Sequence, residues 1–115
     1  MQFAENSVKD LISEYGTPTF VYSGQRIIDN IQRLKTALDS SELQSRYTIL
    51  YAMKANRFQS LLQLLQNYGS IGIDACSPNE VARAVKSGFR PAQISFTAGS
   101  LSKNDLARLV QFNGL

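Results

Sequence analysis

Lys54 follows the apolar run Tyr47-Thr-Ile-Leu-Tyr-Ala-Met53 and is followed by Ala55-Asn56. A lysine at the end of a β-type segment has two uses. Its ammonium can stay in water while its stem packs on neighbours. Alternatively, its amine works in a semi-apolar pocket, where the neutral form is a nucleophile able to form a Schiff base with an aldehyde. Small Ala52 and Ala55 leave room beside the amine for a planar ring, and a fixed strand end gives the aldehyde one trajectory of approach. Asp74, in Gly72-Ile-Asp-Ala-Cys-Ser77, is a carboxylate where a strand should be apolar. It can pair with a cation such as Lys54 if the two strands are adjacent, or hydrogen-bond loop amides. Glu80 follows Ser77 by three and fits the N3 place of a capping box, with Ser77 as N-cap and Pro78 at the first helical position. Cys76 reads as a small buried apolar residue.

These residues must be positioned by alternating helices and strands. Val8, Leu11, Ile12 and Tyr15 predict a helix over residues 5–15, ended by Gly16 and a Thr17-Pro18 turn. Thr19-Phe-Val-Tyr22 is a short β-rich run. A longer helix runs from Ser23 or Gly24 to about Leu38, with Ile27, Ile28, Ile31, Leu34 and Leu38 as its stripe. Residues 39–46 read as a loop. Strands are then predicted over 48–55, 71–75 and 93–97, and helices over 58–68, from Pro78 to Gly88, and after Ser102. Lys54, Asp74 and Thr97 thus lie near the ends of three consecutive strands. Such βα repeats give parallel strands, whose functional residues gather where strands end and loops begin. The loop 97–102 could offer backbone amides to an anion at the following helix. The expected division is a lead at 1–46 and three βα units at 47–115.

The totals narrow the function. The 115 residues suit one domain, and 43% hydrophobic content is enough for a core,. Twelve Lys and Arg against nine Asp and Glu give a net charge of +3, but the basic residues are scattered. That argues against a nucleic-acid surface, which needs a patch or stripe. One cysteine allows no internal disulfide, and no histidine is present, so a Ser-His or Cys-His pair cannot form within these residues,. No basic leader and no long apolar run is evident, so no membrane partner is expected and the cytoplasm is the expected location.

Together the motifs resemble the pyridoxal-phosphate-dependent decarboxylases with the alanine-racemase-type barrel, and among them the diaminopimelate decarboxylase branch, with ornithine and arginine decarboxylases as relatives. Tyr15-Gly-Thr-Pro-Thr-Phe-Val-Tyr22 is similar to the branch's Tyr-Gly-Thr-Pro-x-x-Val-Tyr segment. Tyr51-Ala-Met-Lys-Ala-Asn56 is similar to the cofactor-lysine motif. Asp74-Ala-Cys-Ser-Pro-Asn-Glu80 matches Asp-x-x-Ser-x-x-Glu, and Ile94-Ser-Phe-Thr97 the third strand. Alanine racemases usually continue the lysine motif with Tyr-Gly-His, whereas here Arg57-Phe58-Gln59 follows. After Thr97 the family often has a Gly-x-x-Lys-Ser type loop, and this chain has the longer Ala98-Gly-Ser-Leu-Ser-Lys103.

The resemblance implies an α/β fold, a partial (β/α)8 barrel of about three βα units after a helix-strand-helix lead. It implies pyridoxal 5'-phosphate held covalently by Lys54, with Asp74 and Glu80 close to the cofactor, and a small amino-acid substrate. The reaction implied is decarboxylation of meso-2,6-diaminopimelate to L-lysine, a step of lysine biosynthesis. An ornithine- or arginine-type decarboxylase, a non-catalytic regulatory relative and a small cofactor carrier are the alternatives. The family pattern implies a homodimer with shared sites. It further implies that barrel strands four to eight and a C-terminal β-domain lie outside these residues. This stretch alone is then expected to be inactive, with an open parallel edge that lowers stability or promotes association.

Overall fold

The computed structural model describes residues 1–43 and 46–115, in two compact units that divide after residue 44. The first unit opens with a hairpin of β1 (Gln2–Phe3) and β2 (Asn6–Ser7), paired antiparallel. Ala4 and Glu5 form its turn with positive φ of 48° and 70°, the conformation that matches strand twist in two-residue hairpins. Helix α1 (Val8–Tyr15) therefore starts three residues later than the apolar spacing predicts. Gly16, with φ of 74°, ends it, and its N–H donates to the Ile12 carbonyl. The Thr19–Tyr22 run forms no strand among the described residues. β propensity alone does not make a strand without a ladder partner. Helix α2 (Gly24–Asp39) follows, with Ser23 Oγ accepting from the Arg26 amide. Of the predicted loop, Ser40–Leu43 is turn, and Gln44 and Ser45 lie outside the described residues.

The second unit alternates β3 (Leu50–Ala52), α3 (Gln59–Tyr68), β4 (Gly72–Ala75), α4 (Pro78–Lys86), β5 (Ile94–Phe96) and α5 (Lys103–Leu109). The strands are parallel in the order β3-β4-β5. Each is shorter than its apolar run, because the chain leaves the ladder as soon as the next turn begins. The register aligns Tyr51, Ile73 and Ile94 in one row and Ala52, Asp74 and Ser95 in the next. Alternation sends these rows to opposite faces. On the first face Ile73, Ala75 and Ile94 are buried, together with Leu61, Leu62 and Leu65 of α3 and Val81 and Ala84 of α4. Ile71, Phe89 and Met53 complete this core.

Gly72 has a steric reason to be glycine. A Cβ there would lie 2.6 Å from the Gln93 carbonyl oxygen and 2.6 Å from Leu50 Cδ2. Gly69 ends α3 in the left-handed region at φ of 85°, as expected for a C-terminal glycine. Among the described residues no helix is long and apolar enough to cross a membrane.

Candidate functional site

Lys54 lies two residues beyond β3, in a 3-10 turn formed by Met53–Ala55, and not within a strand reaching to residue 55. The turn forms because Met53 inserts fully into the core, which pulls the backbone off the ladder and sends the next side chain outward. Lys54 is accordingly exposed, where the sequence suggested a semi-apolar pocket. The turn is closed by short bonds on its far side. Tyr51 Oη donates to the Asn56 carbonyl at 2.9 Å, and Asn56 Oδ1 accepts from the Phe58 amide at 2.9 Å.

Asp74 stands directly across from Ala52 on the neighbouring strand, so it shares the C-terminal strand ends with the Lys54 turn. It is half-buried and points away from the core face. Its Oδ1 is buried with no hydrogen-bond partner. A buried carboxylate oxygen left without a donor is costly, and native structures rarely leave one without a purpose. The Lys54–Asp74 ion pair that adjacency allows is not among the ion pairs of the described residues. Both groups are thus available to something placed between the strand ends.

Glu80 is buried. Ser77 caps α4 as its spacing predicts, its Oγ accepting from the Glu80 amide at 3.3 Å. The return bond, however, lands one residue earlier than in a capping box. Glu80 Oε2 accepts from the Cys76 amide at 2.8 Å, so the carboxylate ties down the β4–α4 connection. Its other oxygen lies 3.8 Å from Arg57 Nη1. Cys76 is half-buried, not fully buried. The structure therefore gathers Lys54, Asp74 and Glu80 at one end of the sheet.

Two neighbours escaped sequence reasoning. Arg57 is the partner of Glu80, and Arg83 Nη1 donates to the Arg57 carbonyl at 3.0 Å. The available signal was the three-residue spacing of Glu80 and Arg83, which puts both on one helix face. The loop before α5 is a poor anion site. Asp105 Oδ2 already accepts from the Ser102 amide and hydroxyl, at 3.1 and 2.7 Å. These bonds hold the Asp105 carboxyl below its ordinary value. A hollow of about 460 Å³ opens at the other end of the strands, among Thr48, Gly72 and Gln93, away from Lys54.

Comparison with known proteins fits this geometry. The family described as "Pyridoxal-dependent decarboxylase, pyridoxal binding domain" matches residues 25–113. A diaminopimelate decarboxylase of Methanothermobacter thermautotrophicus is 38% identical over 97 residues, which is 84% of this chain and 22% of that protein. The crystal structure of diaminopimelate decarboxylase from Helicobacter pylori complexed with L-lysine superposes with a TM-score of 0.79 at 29% identity, covering 93% of this chain and 26% of that one. Lysine decarboxylase from Selenomonas ruminantium superposes with a TM-score of 0.82 at 26% identity, covering 99% and 28%. The chain spans about a quarter of the length of the curated relatives it matches. Its parallel βα units form part of the alanine-racemase-type α/β barrel that these structures share. With the lysine turn at the strand ends and most of its length matched, the chain belongs to the pyridoxal-dependent decarboxylase family, through that family's pyridoxal-binding domain.

Proposed function

We propose that this chain supplies the cofactor-lysine portion of a pyridoxal-phosphate-dependent amino-acid decarboxylase, a carboxy-lyase acting on meso-2,6-diaminopimelate to give L-lysine and carbon dioxide. One observation carries the cofactor reading: the exposed Lys54 amine and the unpartnered Asp74 oxygen share the same strand ends. The similarity to diaminopimelate decarboxylases, one of them with L-lysine bound, supports the substrate. A lysine decarboxylase among the similar structures makes a sister amino-acid substrate the competing choice.

The residues present fit the group. Lys54 Nζ would hold the group through its aldehyde carbon, water being released as the bond forms. Asp74 Oδ1, which has no donor within the chain, would accept a hydrogen bond from the group,. Glu80, in the first turn of α4 after β4, would act from beside the site by keeping the β4–α4 connection in place through the Cys76 amide. When bound, pyridoxal phosphate supplies the electron sink that accepts the pair left as carbon dioxide departs. The Lys54 amine, at the strand ends, would also be the group placed to carry a proton or to assist product release. In the same reading the protein is a cytoplasmic homodimer with shared sites.

The test is covalent capture. The chain is incubated with pyridoxal phosphate, reduced with borohydride and mapped by peptide mass. Lys54 should carry the label ahead of Lys9, Lys35, Lys86 and Lys103, and Lys54→Ala should abolish the selective product. Equal labelling of all five lysines would overturn the reading.

A further inference from the structure

We propose that Arg83 is a positioning residue that holds the Lys54 turn against α4, so that the Lys54 amine is presented at one point of the strand ends. The inference rests on the reading that Lys54 takes the cofactor.

Lys54 lies outside the ladder, since the last paired residue of β3 is Ala52. The bonds that close the turn locally join Tyr51 to Asn56 and Asn56 to Phe58. They shape the segment but do not anchor it to another element. Met53 anchors the start of the turn in the core, and two further ties come from α4 and converge on Arg57, three residues after Lys54. Arg83 Nη1 grips the Arg57 carbonyl from 26 residues away, at 3.0 Å. Glu80 Oε1 faces the Arg57 guanidinium at 3.8 Å. Glu80 and Arg83 are three apart on one helix face, so main chain and side chain of one residue are held from neighbouring turns of that face. The helix is a firm base, because Val81 and Ala84 beside them are fully buried. Of the two ties, the Arg83 bond has the better geometry, and a charged donor strengthens it. Met53 is held by the core, so a shift of Arg57 is taken up in the short segment after it, and with it the direction in which Lys54 leaves the turn.

Two readouts test this. The full chain, Arg83→Leu and Arg83→Lys are labelled with pyridoxal phosphate at timed intervals, reduced, and scored for Lys54 label against Lys35 and Lys103. Amide hydrogen exchange is measured over residues 54–58 without any pyridoxal phosphate. Arg83→Leu should lower Lys54 selectivity about fivefold and speed exchange of the turn by a similar factor, the scale of one exposed hydrogen bond from a charged donor. Exchange in Leu61–Leu65 should not change. Arg83→Lys, which keeps a charged donor, should recover part of both effects. Unchanged selectivity and unchanged exchange in Arg83→Leu, with wild type still labelling Lys54 first, would overturn the clamp and leave the cofactor reading standing. No preference for Lys54 in wild type would overturn both. Should Arg83→Leu not fold, Arg83→Gln carries the same comparison.

Discussion

Glu80 offers a way to separate a hydrogen bond from a charge. Its side chain is 6% exposed, and one oxygen accepts from the Cys76 amide at 2.8 Å while the other lies 3.8 Å from an Arg57 side chain that is 61% exposed. Glu80→Ala removes the acceptor and leaves the Cys76 N–H without it, at a cost of about 1–3 kcal/mol. It also removes an acidic group from the first turn of α4, worth roughly 0.3–1 kcal/mol there. Glu80→Gln keeps a carbonyl oxygen for the Cys76 amide and loses the charge alone. The Arg57 pair is long and its cation is solvated, so it adds only about 0–1 kcal/mol. The expected order is therefore a loss of about 1 kcal/mol for the glutamine variant and about 2–4 kcal/mol for alanine. Urea unfolding of the three proteins, followed by far-ultraviolet circular dichroism, measures both differences. Exchange at the Cys76 amide localises them and should quicken in Glu80→Ala only. A glutamine variant as destabilised as alanine would refute the reasoning, because the Arg57 charge pair would then outweigh the amide bond.

Further outcomes follow from other contacts. Gly72→Ala should cost about 1–3 kcal/mol, since the new methyl meets a main-chain oxygen that cannot swing aside,; adding Leu50→Ala should leave most of that loss in place. Phe89→Ala should cost about 3–5 kcal/mol in the same unfolding assay, because the ring is almost wholly buried,. Asp105 should titrate below an ordinary aspartate in a carbon-detected NMR titration, and Ser102→Ala should return it towards that value. The sign follows: its folded value is lowered, so its contribution is present above the ordinary aspartate range and fades as pH falls through the lowered value. A Ser102→Ala protein with an unmoved Asp105 titration would contradict that cause.

Much of this arrangement is legible in the residue pattern. The three strands, their parallel order and the helices between them follow from apolar runs punctuated by Gly69 and Gly88, because local stop signals act where they stand in the chain,. Ser77 and Ser102 are readable as caps for the same reason. Less legible is anything decided by a distant partner. The β-rich run Thr19–Tyr22 finds no ladder among the described residues, while the less β-prone Gln2–Phe3 and Asn6–Ser7 do, through a tight turn. Met53 reads as one more strand residue, yet its burial ends the strand and turns Lys54 outward. The Glu80 carboxylate reaches Cys76, not Ser77, because it is placed by the tertiary course of the connection as well as by helix spacing. The Arg83–Arg57 bond crosses 26 residues, and the sequence shows only that Arg83 shares a helix face with Glu80, not which residue it reaches,.

The short reach of these contacts has a consequence for how the second unit comes together in time. Ala52 meets Asp74, and Asp74 meets Ser95, so each pairing closes a loop of only about twenty residues,. Parallel sheets are slow to assemble when their partners are far apart, and this one is spared much of that delay. During synthesis the amino-terminal part emerges first. Lys54, Asp74, Glu80 and Arg83 all precede β5. The lysine turn, its helix anchor and the unpartnered carboxylate can therefore be in place before the third strand has left the ribosome.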